Sequence, residues 1–240
     1  MDARELIRDA RQGTLAVVHV PDLSGQTFQK PEDVLGVPAL GAHGSAVAIR
    51  DDRFITCFHV IEPLVKTRGS LQLVAALKLG PAEIVYQVEK AVGDQNTDVA
   101  LLSASQRAGK VVPLVLDPED PEMGSEVLCL GVPFPEKEGS FNGQKIDVKI
   151  KLPLRAVKGI VASGVHDDGT FEVDVQLNPG MSGGPVLSLE NGRVTGICQG
   201  FRCAKSADLT FPLSLSRVIA SSTISRRLGE LEGRLTGRAT

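Results

Sequence analysis

Tryptophan is missing from this sequence, tyrosine occurs once, and aromatic residues make up only 4% of its 240 positions. A core built on large rings is therefore excluded. The 42% hydrophobic fraction must come mainly from Val, Leu, Ile and Ala, types suited to pleated, half-buried surfaces. Charge of one sign is lacking too. With a net charge of -3 and Lys and Arg interspersed among Asp and Glu, the chain carries no electrostatic footprint for nucleic acid or anionic lipid. No apolar run reaches the length of a membrane span, and the opening MDARELIRDARQGT is charged throughout, with no signal-peptide core. The expected location is cytoplasmic, unless a leader has been cut away. Cysteine is also scarce. Cys57, Cys129, Cys198 and Cys203 form no CxxC pair and have no His at metal-ligand spacing, so buried free thiols are expected. A Cys198–Cys203 disulfide across a short loop is the alternative, against which a reducing compartment argues.

What is present is turn punctuation. Gly and Pro, 25 and 14 in number, are spread along the chain and separate short apolar runs. LAVVHV, GSAVAI, RFITCFHVI, LQLVAAL, AEIVYQV and DVALL supply strands for one barrel. EVLCLGVP, KIDVKIKLPLRAVKGIVA, TFEVDVQL, GGPVLSL, GRVTGICQGF and LTFPL repeat the rhythm for a second. Asp51-Asp52 reads as a tight hairpin turn, and the Pro- and acid-rich stretch near 105–122 as the connector between the halves. Leu6, Ile7 and Ala10 share a helical face over Ala3–Arg11. Ala220, Ile224, Leu228, Leu231 and Leu235 recur at helical spacing after a capping Ser216. Arg226, Arg227 and Arg234 read as the solvated face of that helix, packed on a barrel. The expected fold is all-β: two six-stranded antiparallel barrels at 14–112 and 113–215, with an N-terminal helix in 1–13 and a C-terminal helix in 216–240.

The chemically informative segment is Asn178-Pro-Gly-Met-Ser-Gly-Gly-Pro185. Its glycines let backbone approach closely, and Gly180 can turn the chain so that its own N–H and that of Ser182 face one point, as a developing oxyanion requires. Read alone, the string could be a glycine-rich hairpin with an incidental serine. Gly180-Met-Ser-Gly-Gly184 also fits the nucleophile elbow of α/β hydrolases, whose histidine follows the serine. His19, His43, His59 and His166 all precede Ser182, which excludes that order. The order histidine, acid, serine survives. His59 ends the apparent strand Phe54–Val60 near a Pro-containing turn, where a side chain reaches a barrel rim. His19 reads as structural, His43 as part of a Gly-flanked loop, and His166 as part of a turn with Asp167 and Asp168. Asp98 precedes the apolar run VALL, where a buried carboxylate needs a donor. An imidazole N–H would serve, and so would a local backbone bond.

Together FITCFHV, NTDVALL and NPGMSGGPV resemble the histidine, aspartate and serine segments of the trypsin-like serine peptidases, especially the bacterial HtrA-type branch. EVLCLGVP is similar to the first strand of that family's second barrel, and GRVTGI to its strand beside the bound peptide. The resemblance runs from about residue 14 to 218 and implies a chymotrypsin-like fold. It also implies a serine endopeptidase needing no metal or cofactor, with Ser182 as nucleophile, His59 as base, Asp98 as its orienting acid, and Gly180 and Ser182 amides as oxyanion hole. The resemblance places Gln176 near the base of the specificity pocket, with Cys198, Gln199, Gly200, Phe201, Leu209 and Thr210 as walls. Gln176 then disfavours basic residues before the scissile bond, unless Asp208 turns inward. Cys57 and Phe58 depart from the small residues usual before the histidine. Met181 stands where digestive members carry the Asp that pairs with a freed N-terminus, so activation by that route is not expected. The 22 residues after Val218 are too few for a PDZ-like region. Implied partners are a protein or peptide substrate, with room for a regulatory protein, and neither nucleic acid nor membrane. Two other functions fit the same residues: an inactive module docking extended peptides by strand addition, and an esterase using the same site.

Overall fold

Short stretches of Val, Ala, Leu and Ile set between Gly and Asp turns have the period-two pattern of strands, and the first half of the chain closes them on one another. In the computed structural model, which describes residues 2–22, 24, 30, 33, 40–67, 69–75, 84–133, 136–141, 146–206 and 209–237, six strands form an antiparallel barrel. They are β1 (Thr14–Pro21), β2 (Gly41–Arg50), β3 (Arg53–Cys57), β4 (Gly69–Ala75), β5 (Ile84–Asp94) and β6 (Val99–Ala108), in the order β1-β2-β3-β6-β5-β4. Arg50 opposes Arg53, so Asp51-Asp52 forms the expected hairpin turn. Leu15, Val17, Ala46, Ile55, Leu73 and Leu101 fill the interior. Phe54 and Tyr86 meet edge to face at 5.1 Å, supplying ring volume where tryptophan is lacking.

The second half contributes β7 (Glu126–Gly131), β8 (Glu136–Phe141), β9 (Ile146–Lys151), β10 (Arg155–Ile160), β11 (Thr170–Val173), β12 (Pro185–Ser188), β13 (Val194–Ser206) and β14 (Leu209–Ala220). Six of these run β10-β7-β12-β13-β14-β11, and β8 with β9 makes a separate hairpin. The sheet's edges meet at one bridge, Val161 with Val173, helped by the Ala162 N–H on the Glu172 carbonyl at 2.8 Å. The second half is thus a half-barrel sheet whose edges join at this bridge and at the Asp174 N–H on the Ile160 carbonyl, 3.0 Å, where a six-stranded barrel was expected. Val127, Cys129, Phe171, Met181, Val186, Cys198 and Val218 form its core. Cys57, Cys129 and Cys198 are buried free thiols, and the Cys203 side chain lies outside the described ones.

Among the described residues, three helices frame the strands: α1 (Ala3–Ala10), α2 (Phe58–Val65) and α3 (Ser221–Thr236). Asp2 caps α1 by accepting the Arg4 N–H at 3.1 Å. The sequence reading of α3 needs correction. Ser216 lies in β14, buried, where its hydroxyl accepts the Leu177 N–H at 3.0 Å, and the helix begins at Ser221. Its buried Ile224, Leu231 and Leu235 join the first barrel's core, so the last element in sequence returns to the first half in space. Arg227 is more than solvated surface: it pairs with Asp94 of β5 at 3.3 Å. Among the described residues, no helix is long and apolar enough to cross a membrane.

Candidate active site

The strand expected to deliver His59 stops sooner than its apolar sequence suggests. β3 ends at Cys57, and Phe58 and His59 open α2, whose N-cap Cys57 makes no side-chain cap bond. Asp98 supplies the cap from another part of the chain. Its carbonyl accepts the Phe58 N–H at 2.8 Å and its Oδ1 the His59 N–H at 2.9 Å, so two orphan donors of the first helical turn are satisfied by one residue. The positive end of the helix dipole in turn favours the carboxylate's charge. The other oxygen, Oδ2, lies 2.8 Å from His59 Nδ1 and accepts the Gln199 side-chain N–H at 3.1 Å. Burial works against ionisation of Asp98, but these bonds and the histidine outweigh it and hold the carboxyl below its ordinary value. Asp98 has φ 56, and among the described non-glycine residues no other has a positive φ, a strained setting that Asp tolerates better than most residues.

Two successive turns build the serine loop. The Met181 N–H bonds the Asn178 carbonyl at 3.0 Å across Pro179-Gly180, and the Gly184 N–H bonds the Met181 carbonyl at 2.9 Å across Ser182-Gly183. Gly180 and Gly183 have φ 97 and 85, the left-handed backbone that a type II turn requires at its third position. Among the described residues, neither the Gly180 nor the Ser182 amide N–H donates to another protein group. The Ser182 hydroxyl donates to the Gln199 carbonyl at 2.8 Å. Gln199 is freed for this by a register shift in β13: Cys198 pairs with Val218 and Gly200 with Arg217, leaving the residue between them outside the ladder.

Ser45 of β2 ties this loop to the first barrel. Its N–H donates to the Ser182 carbonyl at 2.7 Å, and its hydroxyl donates to the Gly180 carbonyl at 2.8 Å while accepting the Val132 N–H at 2.9 Å. The result is a cleft of about 350 Å³ between the two halves, lined by His43, His59, Leu177, Asn178, Pro179, Gly180, Ser182, Gln199, Gly200 and Phe201. His59, Ser182, Gly180, Gln199, Gly200 and Phe201 are thus brought together, with Asp98 behind His59. The expected base and one expected wall residue are placed elsewhere. Gln176 is exposed and Cys198 is buried in the second core, neither lining the cleft. The long β13–β14 hairpin puts Leu209 opposite Ser206 and Thr210 opposite Lys205, near its tip, while Ser216 and Arg217 face Phe201 and Gly200. Asp208 lies outside the described residues.

Some contributors escaped the sequence reading. His43 sits on β2, not in a loop, with its ring 6.5 Å from that of His19. Ser45 carried no signal beyond a Gly-Ser step. Gln199 was read only as wall; besides lining the cleft, its carbonyl holds Ser182 and its amide holds Asp98.

Comparison with known proteins agrees with this fold. Residues 44–197, more than half of the chain, match the family described as "Trypsin-like peptidase domain". The magnetosome formation protease MamE of Paramagnetospirillum magneticum is 27% identical over 155 residues, 64% of this chain and 19% of the relative. Protease Do-like 1, chloroplastic, of Arabidopsis thaliana is 28% identical over 82% of this chain and 41% of the relative. Serine protease Do-like HtrB of Bacillus subtilis is 30% identical over 60% of this chain and 28% of the relative. The chain therefore spans well under half the length of these relatives. A serine endoprotease structure from Yersinia pestis shares the fold with a TM-score of 0.64, at 18% identity, over 96% of this chain and 66% of that one.

Proposed function

Because the chain belongs to the family of trypsin-like peptidase domains, we propose that it is a serine endopeptidase, a hydrolase acting through His59, Asp98 and Ser182. The observation that carries the reading is the Asp98–His59 pair, 2.8 Å apart and opening into the cleft that Ser182 lines. Asp98 fixes the His59 tautomer with its proton on Nδ1, which leaves Nε2 free as general base. Ser182 leaves the Gln199 carbonyl by rotating about its Cα–Cβ bond, passes its proton to Nε2 and attacks the substrate carbonyl. The free Gly180 and Ser182 amides receive the oxyanion. His59 returns the proton to the leaving amine, and water then hydrolyses the acyl-enzyme with the same base. The substrate class is protein or peptide, in restricted processing of a particular protein.

The cleft's lining has no Asp, Glu, Lys or Arg among the described residues, and Leu177, Pro179 and Phe201 supply apolar surface. A small or medium apolar residue before the scissile bond fits it. A peptide-library profile dominated by Arg or Lys would reject this preference.

One observation favours the inactive peptide-docking module: the Ser182 hydroxyl bonds Gln199 and not His59. Fluorophosphonate labelling followed by peptide hydrolysis decides. The expected result is labelling at Ser182, with turnover that falls on the order of 10⁶-fold in Ser182→Ala. Absence of labelling would establish the inactive module, and labelling with ester but no peptide turnover the esterase.

A further inference from the structure

Cys57 lies at the N-cap of α2, two residues before His59, and no step of the peptide hydrolysis uses it. Its Sγ, a ring nitrogen of His59 and a carboxylate oxygen of Asp98 all lie within 4.8 Å of one another. Sequence spacing hides this set, because Asp98 arrives from the turn before β6. In a tetrahedral site with Zn–S near 2.3 Å and Zn–N and Zn–O near 2.1 Å, ligand atoms are separated by roughly 3.3–3.8 Å. Side-chain shifts of about an ångström therefore convert the present triangle into a coordination face. The three donors are a thiol, an imidazole and a carboxylate, a set that suits zinc better than the hard cations magnesium and calcium. The His59 side chain is 48% exposed and that of Asp98 17%, so solvent reaches two of the three ligand side chains, whereas Cys57 is fully buried and its thiol donates to the Cys198 carbonyl at 3.2 Å, a bond the metal must replace.

We propose that a thiophilic divalent cation of the zinc class binds Cys57 Sγ, the His59 nitrogen facing Asp98, and an Asp98 oxygen, and thereby switches the enzyme off. The inhibition rests on the peptidase reading, but the binding does not. The chemistry balances without any oxidant. Cys57 releases its thiol proton to solvent as sulfur takes the metal. Neutral His59 keeps one ring proton, which must leave Nδ1 for Nε2 when Nδ1 becomes a ligand. Nε2 is the atom that must accept the Ser182 proton, so the metal-bound tautomer cannot act as base. Burial and the Asp98 charge keep the Cys57 thiol protonated in the absence of metal. A cation reverses that preference, since the same carboxylate that opposes a lone thiolate attracts the ion.

Cobalt(II) titration of the full chain reads binding whether or not peptide is turned over. The expected signal is a near-ultraviolet thiolate-to-cobalt charge-transfer band, displaced by zinc, absent in Cys57→Ser and His59→Ala, and retained in Ser182→Ala. In peptide hydrolysis, zinc should inhibit the wild type. Cys57→Ser should need at least about tenfold more zinc for the same inhibition, as loss of the soft ligand implies. Cys57→Ala takes its place if a hydroxyl is not tolerated at this buried position. Absence of the charge-transfer band in the wild type would overturn the site even if the chain proves an active peptidase. Equal zinc sensitivity in the Cys57 variants would overturn the proposed inhibition.

Discussion

Ser45 is fully buried and hydrogen-bonds the second half of the molecule through both its side chain and its main chain. Its hydroxyl joins the Gly180 carbonyl to the Val132 N–H, and its main chain holds the Ser182 carbonyl. Ser45→Ala leaves the buried Val132 N–H and the half-buried Gly180 carbonyl without this partner and should cost about 1–3 kcal/mol of stability. Because the released Gly180 carbonyl belongs to the loop that aims the oxyanion amides, kcat should fall by about 10- to 100-fold, as a misplacement of about 1 Å does elsewhere, with KM little changed. Denaturant unfolding and steady-state kinetics on the same variant check both halves. Asp98→Asn separates folding from chemistry at the neighbouring position. Asn tolerates φ 56 and can still accept the His59 N–H, so the chain should still fold, losing only the stability that the carboxylate charge contributes. Its amide cannot accept from Nδ1, and kcat should drop on the order of 10⁴-fold through the wrong tautomer. An unchanged rate would remove Asp98 from the proposed mechanism.

The turn between β5 and β6 presents that aspartate, and Asp94 builds the turn. Its carboxylate accepts the Asn96 N–H at 3.1 Å and the Thr97 hydroxyl at 2.8 Å, and pairs with Arg227 of α3. Burial raises its pKa, but the bonds from Thr97 and Asn96 and the arginine charge prevail and leave it below the ordinary 3.8. The folded chain therefore holds this proton less tightly than the unfolded chain. Asp94's contribution is complete above about pH 4 and fades as pH falls through the lowered value. The stability gap between wild type and Asp94→Asn should be widest near neutrality and should close in acid. Equal gaps at both pH values would show that the charge is irrelevant. This turn also shows why parts of the site were legible in the sequence and others were not. NTDVALL and NPGMSGGPV carry their meaning locally, in a turn and the residues it exposes, so motif and order sufficed. Gln199 and Ser45 act through a strand bulge and a cross-barrel contact, which depend on register. The α2 start was misread because its cap, Asp98, is 39 residues away, and Ser216 was misread because β14 continues through a stretch that also has helical spacing.

Taken as a whole, the molecule is two β systems that touch where the chemistry is proposed, and Gly183 lies at the contact. Its N–H donates to the Cys198 carbonyl at 2.7 Å, inside the second half. A side chain there would enter the first: an added Cβ would stand 2.1 Å from the Ser45 carbonyl oxygen and 2.2 Å from Thr56 Oγ1, both in the barrel wall. Cys57 Sγ reaches the Cys198 carbonyl at 3.2 Å across the same junction. Backbone oxygens of a closed barrel cannot step aside, so Gly183→Ala must push the serine loop away from β2 and β3. The alanine also carries the penalty of φ 85, about 1–3 kcal/mol before any clash. The larger core, anchored by α3, fills the first barrel and also takes in Leu128, Leu187 and Ile197 of the second half, while Phe171, Met181 and Val218 belong to a core of the second half alone. The expected outcome is a chain that retains β-sheet circular dichroism, loses peptide hydrolysis and fluorophosphonate labelling together, and unfolds at a lower midpoint. Labelling that survives with only hydrolysis lost would mean that the serine is activated within the second half alone. The cleft between the halves would then not be where the reacting groups are brought into register.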